Sequence, residues 1–260
     1  MATVPLQARR YGANGATPLV LLHGLFGSGA NWHGIARRLA AARPVLVPDL
    51  RNHGRSPHAP EMDYPAMADD LAAWTGDQGL GPVVVVGHSM GGKAAMELTL
   101  RYPRQVAAVG VVDIAPVRYP DSFETLVDAL RALPLGAIAN RADADRRLAG
   151  AIASAPVRAY LLQNLVHEGD GWRWRFNLPA IAAAMAGLRG FPDPGGRQFA
   201  GPALFLYGTE SSYVGADALP AIRQLFPLAR LRAIANAGHW VYADRPDAFI
   251  GALEGFLAKR

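Results

Sequence analysis

The first candidate for chemistry in this sequence is Ser89, which occupies the centre of a G-x-S-x-G pentapeptide at residues 87–91. Four consecutive valines at residues 83–86 precede it and are typical of a short strand buried on both faces. A helical pattern at residues 93–98 follows it. This order of strand, pentapeptide and helix forms a strained turn that exposes the serine hydroxyl at the top of a sheet. The sequence therefore predicts Ser89 as a nucleophile, and the alternative is a tight turn without chemistry.

A serine hydroxyl is a poor nucleophile unless a base lies within hydrogen-bond reach and a third group fixes the tautomer of that base. Of the seven histidines, His239 has the best position, in a Gly-His-Trp loop after the last predicted strand. This loop is expected at the same end of the sheet as Ser89. His23 is expected to brace the backbone of a glycine-rich loop, and the side chain of His88 is expected to point away from the attacking face. We therefore predict His239 as the catalytic base.

The acid that would orient His239 has two candidates. Hydrolases with this pentapeptide usually place it after the strand that ends here at Gly208, but that loop offers Glu210 and Ser211 instead of an aspartate. A serine cannot stabilise an imidazolium as a carboxylate does. Asp113 lies near the carboxyl end of the strand that follows the nucleophile strand. We predict Asp113 as the acid, with Glu210 as the alternative and Ser211 as a hydrogen-bonding partner of the histidine–aspartate pair.

An apolar run at residues 19–22 ends in a His-Gly-Leu-Phe-Gly loop at residues 23–27. Its spacing fits neither of the common phosphate-binding glycine motifs, so a nucleotide site is not expected. A loop of this kind at a strand end is suited to supply a backbone N–H to an oxyanion. We predict that the N–H groups of Leu25 and Met90 form the oxyanion hole. The sequence contains no metal-ligand cluster, and the predicted chemistry requires neither a metal nor a cofactor.

The composition restricts the class of protein. At 260 residues, with 51% hydrophobic and 18% charged residues, the chain is long enough for one large core and is typical of a globular domain. The net charge of +5 comes from scattered arginines without a basic run, so no nucleic-acid partner is expected. No apolar run approaches the ~20 residues of a membrane span, and the N-terminus lacks the apolar core of a signal peptide. Together with the absence of cysteine, these features predict a soluble cytoplasmic protein.

Apolar runs alternate with helical patterns over residues 1–116 and 197–260. This alternation predicts an α/β fold with a mostly parallel central sheet flanked by helices. Residues 117–196 interrupt it, because they contain helical segments and no convincing strand apart from a small aromatic hairpin at residues 169–177. We predict residues 117–196 as a helical cap insertion over the sheet of the surrounding core, and the alternative is a purely structural helical layer.

Longer motifs surround the candidate residues and are far more specific than the pentapeptide alone. They include His-Gly-Leu-Phe-Gly at residues 23–27, Arg-Asn-His-Gly at 51–54, Gly-His-Ser-Met-Gly-Gly-Lys at 87–93, Asp-Ile-Ala-Pro at 113–116 and Gly-His-Trp at 238–240. They resemble the motifs of the α/β-hydrolases, and within them the YbfF/ABHD11-type esterases, over nearly the whole chain. The resemblance implies an α/β-hydrolase fold and a serine esterase that accepts acyl esters or thioesters under a helical cap. It also implies an acid of the Asp113 type with an accessory serine, which matches Ser211 but is ambiguous by one position because Ser212 follows.

The function predicted from these residues is a serine hydrolase that cleaves carboxylic esters through a Ser–His–Asp triad and an acyl-enzyme intermediate. The resemblance adds thioesters as possible substrates. A small-molecule acyl ester would bind in an apolar pocket, for which we predict the side chains of Phe26, Tyr119, Phe123, Trp172, Trp174 and Trp240. The alternatives are a C–C bond hydrolase or a cofactor-free haloperoxidase on the same triad, and a ligand-binding module without catalysis.

Overall fold

The computed structural model describes residues 2–13, 15–120, 123–169 and 171–258. Within these residues a seven-stranded sheet and a separate two-stranded sheet are present. The strands are β1 (Ala8–Tyr11), β2 (Leu19–Leu22), β3 (Val45–Pro48), β4 (Val83–His88), β5 (Val106–Val112), β6 (Leu165–Glu168), β7 (Gly171–Trp174), β8 (Ala203–Gly208) and β9 (Ala229–Ile234).

The strand order in the large sheet is β1-β3-β2-β4-β5-β8-β9. Neighbouring strands are parallel, except that β1 pairs antiparallel with β3 at the edge. Strand β1 is not among the predicted strands, because its side chains are mostly exposed and form no apolar run. The central strand is β4, so the residues that follow its carboxyl end lie in the middle of the edge where open α/β sheets bind ligands.

Both faces of the large sheet are buried. Val83 and Val85 belong to one hydrophobic cluster, whereas Val84 and Val86 belong to another. The two-residue period of a strand places these pairs on opposite faces. All four valines are at most 1% exposed, which explains why an uninterrupted apolar run forms the central strand of a parallel sheet.

Helices cover both faces of the sheet. In the described residues the α-helices are α1 (His33–Leu39), α2 (Tyr64–Asp77), α3 (Met90–Arg101), α4 (Glu124–Ala132), α5 (Arg141–Leu148), α6 (Ala155–Leu162), α7 (Leu178–Leu188), α8 (Leu219–Leu225), α9 (Val241–Asp244) and α10 (Pro246–Leu257). Helices α2, α3 and α8 contribute to the cluster that contains Val83, and α1, α9 and α10 contribute to the cluster that contains Val84. None of these helices is long and apolar enough to cross a membrane.

The chain between β5 and β8, here called the insertion, contains α4 to α7 and the hairpin of β6 and β7. The hairpin is shifted relative to its predicted position at residues 169–177, because its first strand begins at Leu165. That residue pairs with Trp174, and both side chains are buried, so the pairing removes two large apolar groups from water. Asp170, which belongs to the predicted hairpin, lies outside the described residues.

Lys93 connects the insertion to α3. Its ammonium donates hydrogen bonds to the carbonyl oxygens of Val117 at 2.9 Å, Arg189 at 2.9 Å and Gly190 at 2.6 Å. Burial lowers the pKa of Lys93 to about 7, whereas the three carbonyl acceptors favour the charged form, which alone has three N–H donors. The two ends of the insertion therefore meet on one side chain, about one helical turn after Ser89.

Candidate active site

Ser89 lies at the turn between β4 and α3, where it is half-buried. Its backbone has φ 52° and ψ −118°, a conformation that residues other than glycine rarely adopt. Two glycines permit this turn: a Cβ on Gly87 would lie 2.0 Å from the carbonyl oxygen of Gly91, and a Cβ on Gly91 would lie 2.5 Å from that of His23. The pentapeptide thus forms the strained strand-to-helix turn that its sequence predicts.

His239 follows β9 and Asp113 follows β5, and their side chains meet at the same edge of the sheet. Nδ1 of His239 lies 2.7 Å from Oδ2 of Asp113, whose side chain is fully buried. Because an ionised carboxylate only accepts hydrogen bonds, Nδ1 carries the proton and the lone pair is on Nε2. The histidine side chain is 23% exposed, and it lines a cavity with Ser89. The structure thus brings together the three residues predicted to form the triad.

The last residue of β8 and the loop after it add two further donors to the carboxylate of Asp113. The hydroxyl of Ser211 donates to Oδ2 at 2.5 Å, and the backbone N–H of Gly208 donates to Oδ1 at 3.1 Å. Ser211, and not Ser212, therefore makes the contact that the sequence left ambiguous. The alternative acid Glu210 is exposed, and within the described part of the chain its carboxylate forms no hydrogen bond to a histidine.

The two N–H groups predicted to bind an oxyanion belong to residues beside Ser89. Met90 is the first residue of α3, where the backbone N–H has no acceptor inside the helix. Leu25 lies in the loop after β2. Neither N–H donates a hydrogen bond within residues 2–13, 15–120, 123–169 and 171–258, and both residues line one cavity with Ser89. Two free donors beside a nucleophile are suited to stabilise an oxyanion.

His53 supports the loop that carries Leu25. Its Nε2 accepts a hydrogen bond from the backbone N–H of Phe26 at 3.1 Å, and its Nδ1 donates to the carbonyl oxygen of Arg51 at 3.0 Å. A ring that accepts at one nitrogen and donates at the other is neutral. Burial, with a smaller contribution from His23, lowers the pKa of His53 to about 3. His23 braces the start of the same loop in a similar way, and burial lowers its pKa too.

The insertion holds the same loop from its other side. The side-chain amide of Asn164 donates to the carbonyl oxygen of Phe26 at 2.6 Å, and the hydroxyl of Tyr160 donates to that of Leu25 at 3.0 Å. Phe26 has φ 60°, a conformation that costs such a residue about 1–3 kcal/mol and persists only when its surroundings enforce it. Asn164 and Tyr160 were not predicted as site residues, because their contacts join positions more than 130 residues apart.

His88 packs against the base, a contact that the sequence does not predict. Its Nε2 donates a hydrogen bond to the backbone carbonyl oxygen of His239 at 2.9 Å, and the two ring centroids lie 4.6 Å apart. Burial lowers the pKa of His88 well below its ordinary value, so the ring adds no positive charge beside the base. The available signal was the position of His88, directly before Ser89 in the strand that ends at the site.

Two cavities meet at Ser89. The larger has a volume of about 350 Å³ and includes His239 in its wall, and the smaller has a volume of about 40 Å³ and includes Met90. Besides Ser89, the residues that line both cavities are Leu25, Phe123 and Tyr213. The ring of Tyr213, which is not among the predicted site residues, stacks on that of His239 with a centroid distance of 4.1 Å.

Four of the six predicted pocket residues line these cavities. Phe26 and Trp240 line the larger one, Tyr119 lines the smaller one and Phe123 lines both. These side chains come from the loop after β2, from the loop after β9 and from the start of the insertion. The pocket is therefore aromatic, as predicted, but two of the six predicted residues do not line it.

Trp172 and Trp174 line neither cavity, and this part of the prediction is wrong. Trp174 is buried in the insertion, where it stacks on Phe176 with an interplanar angle of 10° and donates its indole N–H to the carbonyl oxygen of Leu130 at 3.3 Å. Trp172 packs against His167 across the hairpin. Both tryptophans belong to β7, whose aromatic side chains stabilise the insertion itself.

The parallel sheet, the strained serine turn after its central strand and the histidine–aspartate pair at its carboxyl edge define an α/β-hydrolase. The chain belongs to the family with the alpha/beta hydrolase fold, whose family model matches residues 17–246. The resemblance inferred from the motifs and the predicted fold class are thus confirmed. In the described residues, no group of three or more His, Cys, Asp or Glu side chains is arranged to hold a metal ion.

Particular relatives define the class of enzyme more narrowly. The chain is 39% identical over 254 residues to the sn-1-specific diacylglycerol lipase ABHD11 of Danio rerio, covering 95% of this chain and 80% of the relative. It is 36% identical over 242 residues to the esterase YbfF of Escherichia coli K12, covering 93% of each protein. The solved structure of a marine microorganism esterase matches with a TM-score of 0.94 at 36% identity, covering 98% of this chain and 100% of that one. The protein is therefore an enzyme, a hydrolase of the esterase and lipase type.

Proposed function

We propose that this hydrolase cleaves carboxylic esters, and thioesters with similar acyl groups, through a triad of Ser89, His239 and Asp113. The observation that carries the proposal is the 2.7 Å hydrogen bond between Nδ1 of His239 and Oδ2 of Asp113, at a cavity that Ser89 also lines. In this tautomer the lone pair of Nε2 is available to a hydroxyl group in the cavity. Esters and thioesters both present an acyl carbon that an activated serine attacks.

In the acylation half-reaction, Oγ of Ser89 bonds to the acyl carbon while Nε2 of His239 accepts the hydroxyl proton. The N–H groups of Leu25 and Met90 donate hydrogen bonds to the oxygen that becomes negatively charged. The bond between the acyl carbon and the leaving oxygen or sulfur then breaks, and Nε2 gives its proton to that atom. The alcohol or thiol departs, and the acyl group remains on Ser89 as an ester.

The deacylation half-reaction repeats these steps with water as the nucleophile. His239 accepts a proton from water, whose oxygen bonds to the acyl carbon, and then returns the proton to Oγ of Ser89 as the carboxylic acid leaves. In both halves the imidazolium of His239 forms beside the carboxylate of Asp113. That carboxylate keeps its position because Ser211 and Gly208 donate to it.

We further propose that residues 117–196 form a cap on a hydrolase core made of residues 1–116 and 197–260. The support is that Tyr160 and Leu161 of α6 line the larger cavity beside Ser89. Asp121, Ser122 and Asp170 of this segment lie outside the described residues. A cytoplasmic location stays a prediction, which fractionation of cells that express the chain tests.

Hydrolysis of p-nitrophenyl acetate and butyrate tests the proposed function. The Ser89→Ala variant removes the nucleophile, so we expect kcat/KM to fall by at least about 10³-fold, and Ser212→Ala serves as a matched control that keeps the wild-type rate. Equal rates for the wild type and Ser89→Ala, measured on the same folded preparations, would overturn the proposal.

A further inference from the structure

The two cavities at Ser89 include different parts of the proposed machinery. His239 lines the larger cavity of about 350 Å³ and not the smaller one. Met90 lines the smaller cavity of about 40 Å³ and not the larger one. Leu25 lines both. The nucleophile therefore lies at a junction, with the base on one side and a donor to the oxyanion on the other.

The position of His239 decides which cavity takes the leaving group. The acyl carbon of the tetrahedral intermediate carries Oγ of Ser89, the oxyanion, the leaving oxygen and the acyl chain. Nε2 must reach Oγ during attack and the leaving oxygen during collapse, so the leaving group lies on the side of His239, in the larger cavity. The oxyanion faces Leu25 and Met90. The acyl chain takes the remaining direction, which is the smaller cavity.

The volume of the smaller cavity restricts the acyl chain. One water needs ~10–15 Å³ of such volume, so about 40 Å³ holds roughly three groups of that size, which is the chain of a butyryl group beyond its carbonyl carbon. Its wall includes Tyr64, Met185 and Leu188, which are at most 6% exposed. The hydroxyl of Tyr64 also donates to the carbonyl oxygen of Leu188 at 2.7 Å. A longer chain that stays inside this cavity must displace close-packed side chains.

The larger cavity has the size and the lining for an apolar alcohol. Its wall includes Leu126 of α4, Val157 and Tyr160 of α6, and Trp240 next to the base. Tyr160 and Trp240 form an aromatic pair with a centroid distance of 5.4 Å. Apolar and aromatic walls of this kind favour the transfer of an apolar group from water.

We propose that the enzyme selects esters with a short acyl chain, up to about butyryl, and a larger apolar alcohol. The acyl chain binds in the smaller cavity, which Met185 lines, and the alcohol binds in the larger cavity, which Leu126 lines. This inference rests on the proposed function and adds the side of Ser89 on which each half of the ester binds. Met185 lines only the smaller cavity and Leu126 lines only the larger one. Variants of these two residues therefore form a matched pair.

Two ester series test the inference. p-Nitrophenyl esters from acetate to octanoate vary the acyl chain with a constant leaving group, and alkyl butyrates from ethyl to octyl vary the alcohol with a nearly constant leaving-group pKa. For the wild type, kcat/KM is expected to fall at least about tenfold from butyrate to octanoate, and to stay level or rise from ethyl to octyl butyrate. Met185→Ala is expected to move the acyl optimum to hexanoate or longer, whereas Leu126→Ala leaves it at butyrate and changes the alcohol series.

Met185→Val, which removes less of the buried side chain, is expected to shift the acyl optimum in the same direction if Met185→Ala does not fold. A wild-type preference for octanoate over butyrate overturns the inference, and so does an acyl optimum that moves in Leu126→Ala and not in the Met185 variants. In either of these results the enzyme still hydrolyses esters, so the proposed function stands. No turnover of any ester by folded wild-type protein overturns the proposed function, and the inference with it.

Discussion

Nδ1 of His239 donates a hydrogen bond to Oδ2 of Asp113 across 126 positions of sequence. The carboxylate follows β5, the strand next to the nucleophile strand, and not β8, after which hydrolases of this fold usually carry their acid. Asp113 has φ 53°, which lies in the left-handed region that favours glycine. Its fully buried side chain and its three hydrogen bonds hold it in this conformation.

The position of the acid gives a first prediction. Asp113→Asn removes the negative charge and lets the side-chain amide compete for Nδ1 of His239, so we expect kcat to fall by about 10³- to 10⁴-fold. Among the described residues, the exposed Glu210 forms no hydrogen bond to Asp113 or His239, so Glu210→Gln is expected to keep kcat within about twofold of the wild type. Steady-state hydrolysis of p-nitrophenyl butyrate measures both. A large loss in Glu210→Gln with little change in Asp113→Asn would reverse the assignment.

The role of Ser211 gives a second prediction. Its hydroxyl donates to the same oxygen that accepts from His239, so Ser211→Ala is expected to lower kcat/KM by about tenfold, the equivalent of ~1.4 kcal/mol. The acid limb of the pH–rate profile should shift as well, because the hydroxyl acts through the charge of Asp113. Ser211→Thr keeps the donor and should restore most of the rate, and Ser212→Ala should change neither rate nor profile. An unchanged pH profile in Ser211→Ala would contradict this role.

The contact between Asn164 and the loop at Phe26 gives a third prediction. Asn164→Leu leaves the carbonyl oxygen of Phe26 without its donor, so we expect a loss of about 1–3 kcal/mol in the free energy of unfolding. We also expect kcat to fall by about tenfold with little change in KM, because the neighbouring N–H of Leu25 loses its alignment. Urea titration and steady-state kinetics measure the two effects. Gln163→Leu, which removes an exposed hydrogen bond to Asn31, is the control, and an equal effect of both variants would count against the prediction.

The buried ring of His53 gives a prediction about acid stability. Its pKa is about 3 in the folded protein and about 6.5 in the unfolded chain, so between these values the unfolded chain binds a proton that the folded protein does not. The stability contributed by the neutral ring is complete above pH 6.5 and decreases as the pH falls towards 3. The free energy of unfolding should fall by up to about 1.4 kcal/mol per pH unit for this group.

His53→Gln keeps an acceptor for the N–H of Phe26 but has no titratable group. Denaturant titration between pH 6 and 4 measures the slope of the unfolding free energy against pH. We expect this slope to decrease by up to about 1.4 kcal/mol per pH unit, which corresponds to one proton. A lower stability with an unchanged slope would show that the ring of His53 contributes packing and hydrogen bonds without this linkage.

The candidate site could be predicted from the sequence where local pattern decides the geometry. A valine run followed by G-x-S-x-G forces the turn at Ser89, and the carboxyl ends of parallel strands place Asp113 and His239 at one edge. The support from Asn164 and Tyr160 could not be found in this way, since it depends on how the insertion packs on the loop after β2. Trp172 shows the same limit, because aromatic composition does not determine which side of an insertion faces the site.

The fold shows a similar division between local and distant causes. The strands of the sheet interior are continuous apolar runs, and their existence followed from composition and from the helices between them. The edge strand β1 is exposed on most of its length and exists because its backbone pairs with β3. The hairpin lies several residues before its predicted position. The burial of Leu165 in its pair with Trp174, and not local turn chemistry, fixes its register.

Site-resolved labelling with a fluorophosphonate tests the central claim most directly. An activated serine displaces fluoride from phosphorus and becomes covalently modified, whereas a serine without a base reacts slowly. Peptide mass spectrometry of the wild type should place the label on Ser89, and labelling should disappear in Ser89→Ala and fall strongly in His239→Ala. A label on another residue, or a wild-type protein that hydrolyses esters while Ser89 remains unlabelled, would contradict the proposed triad.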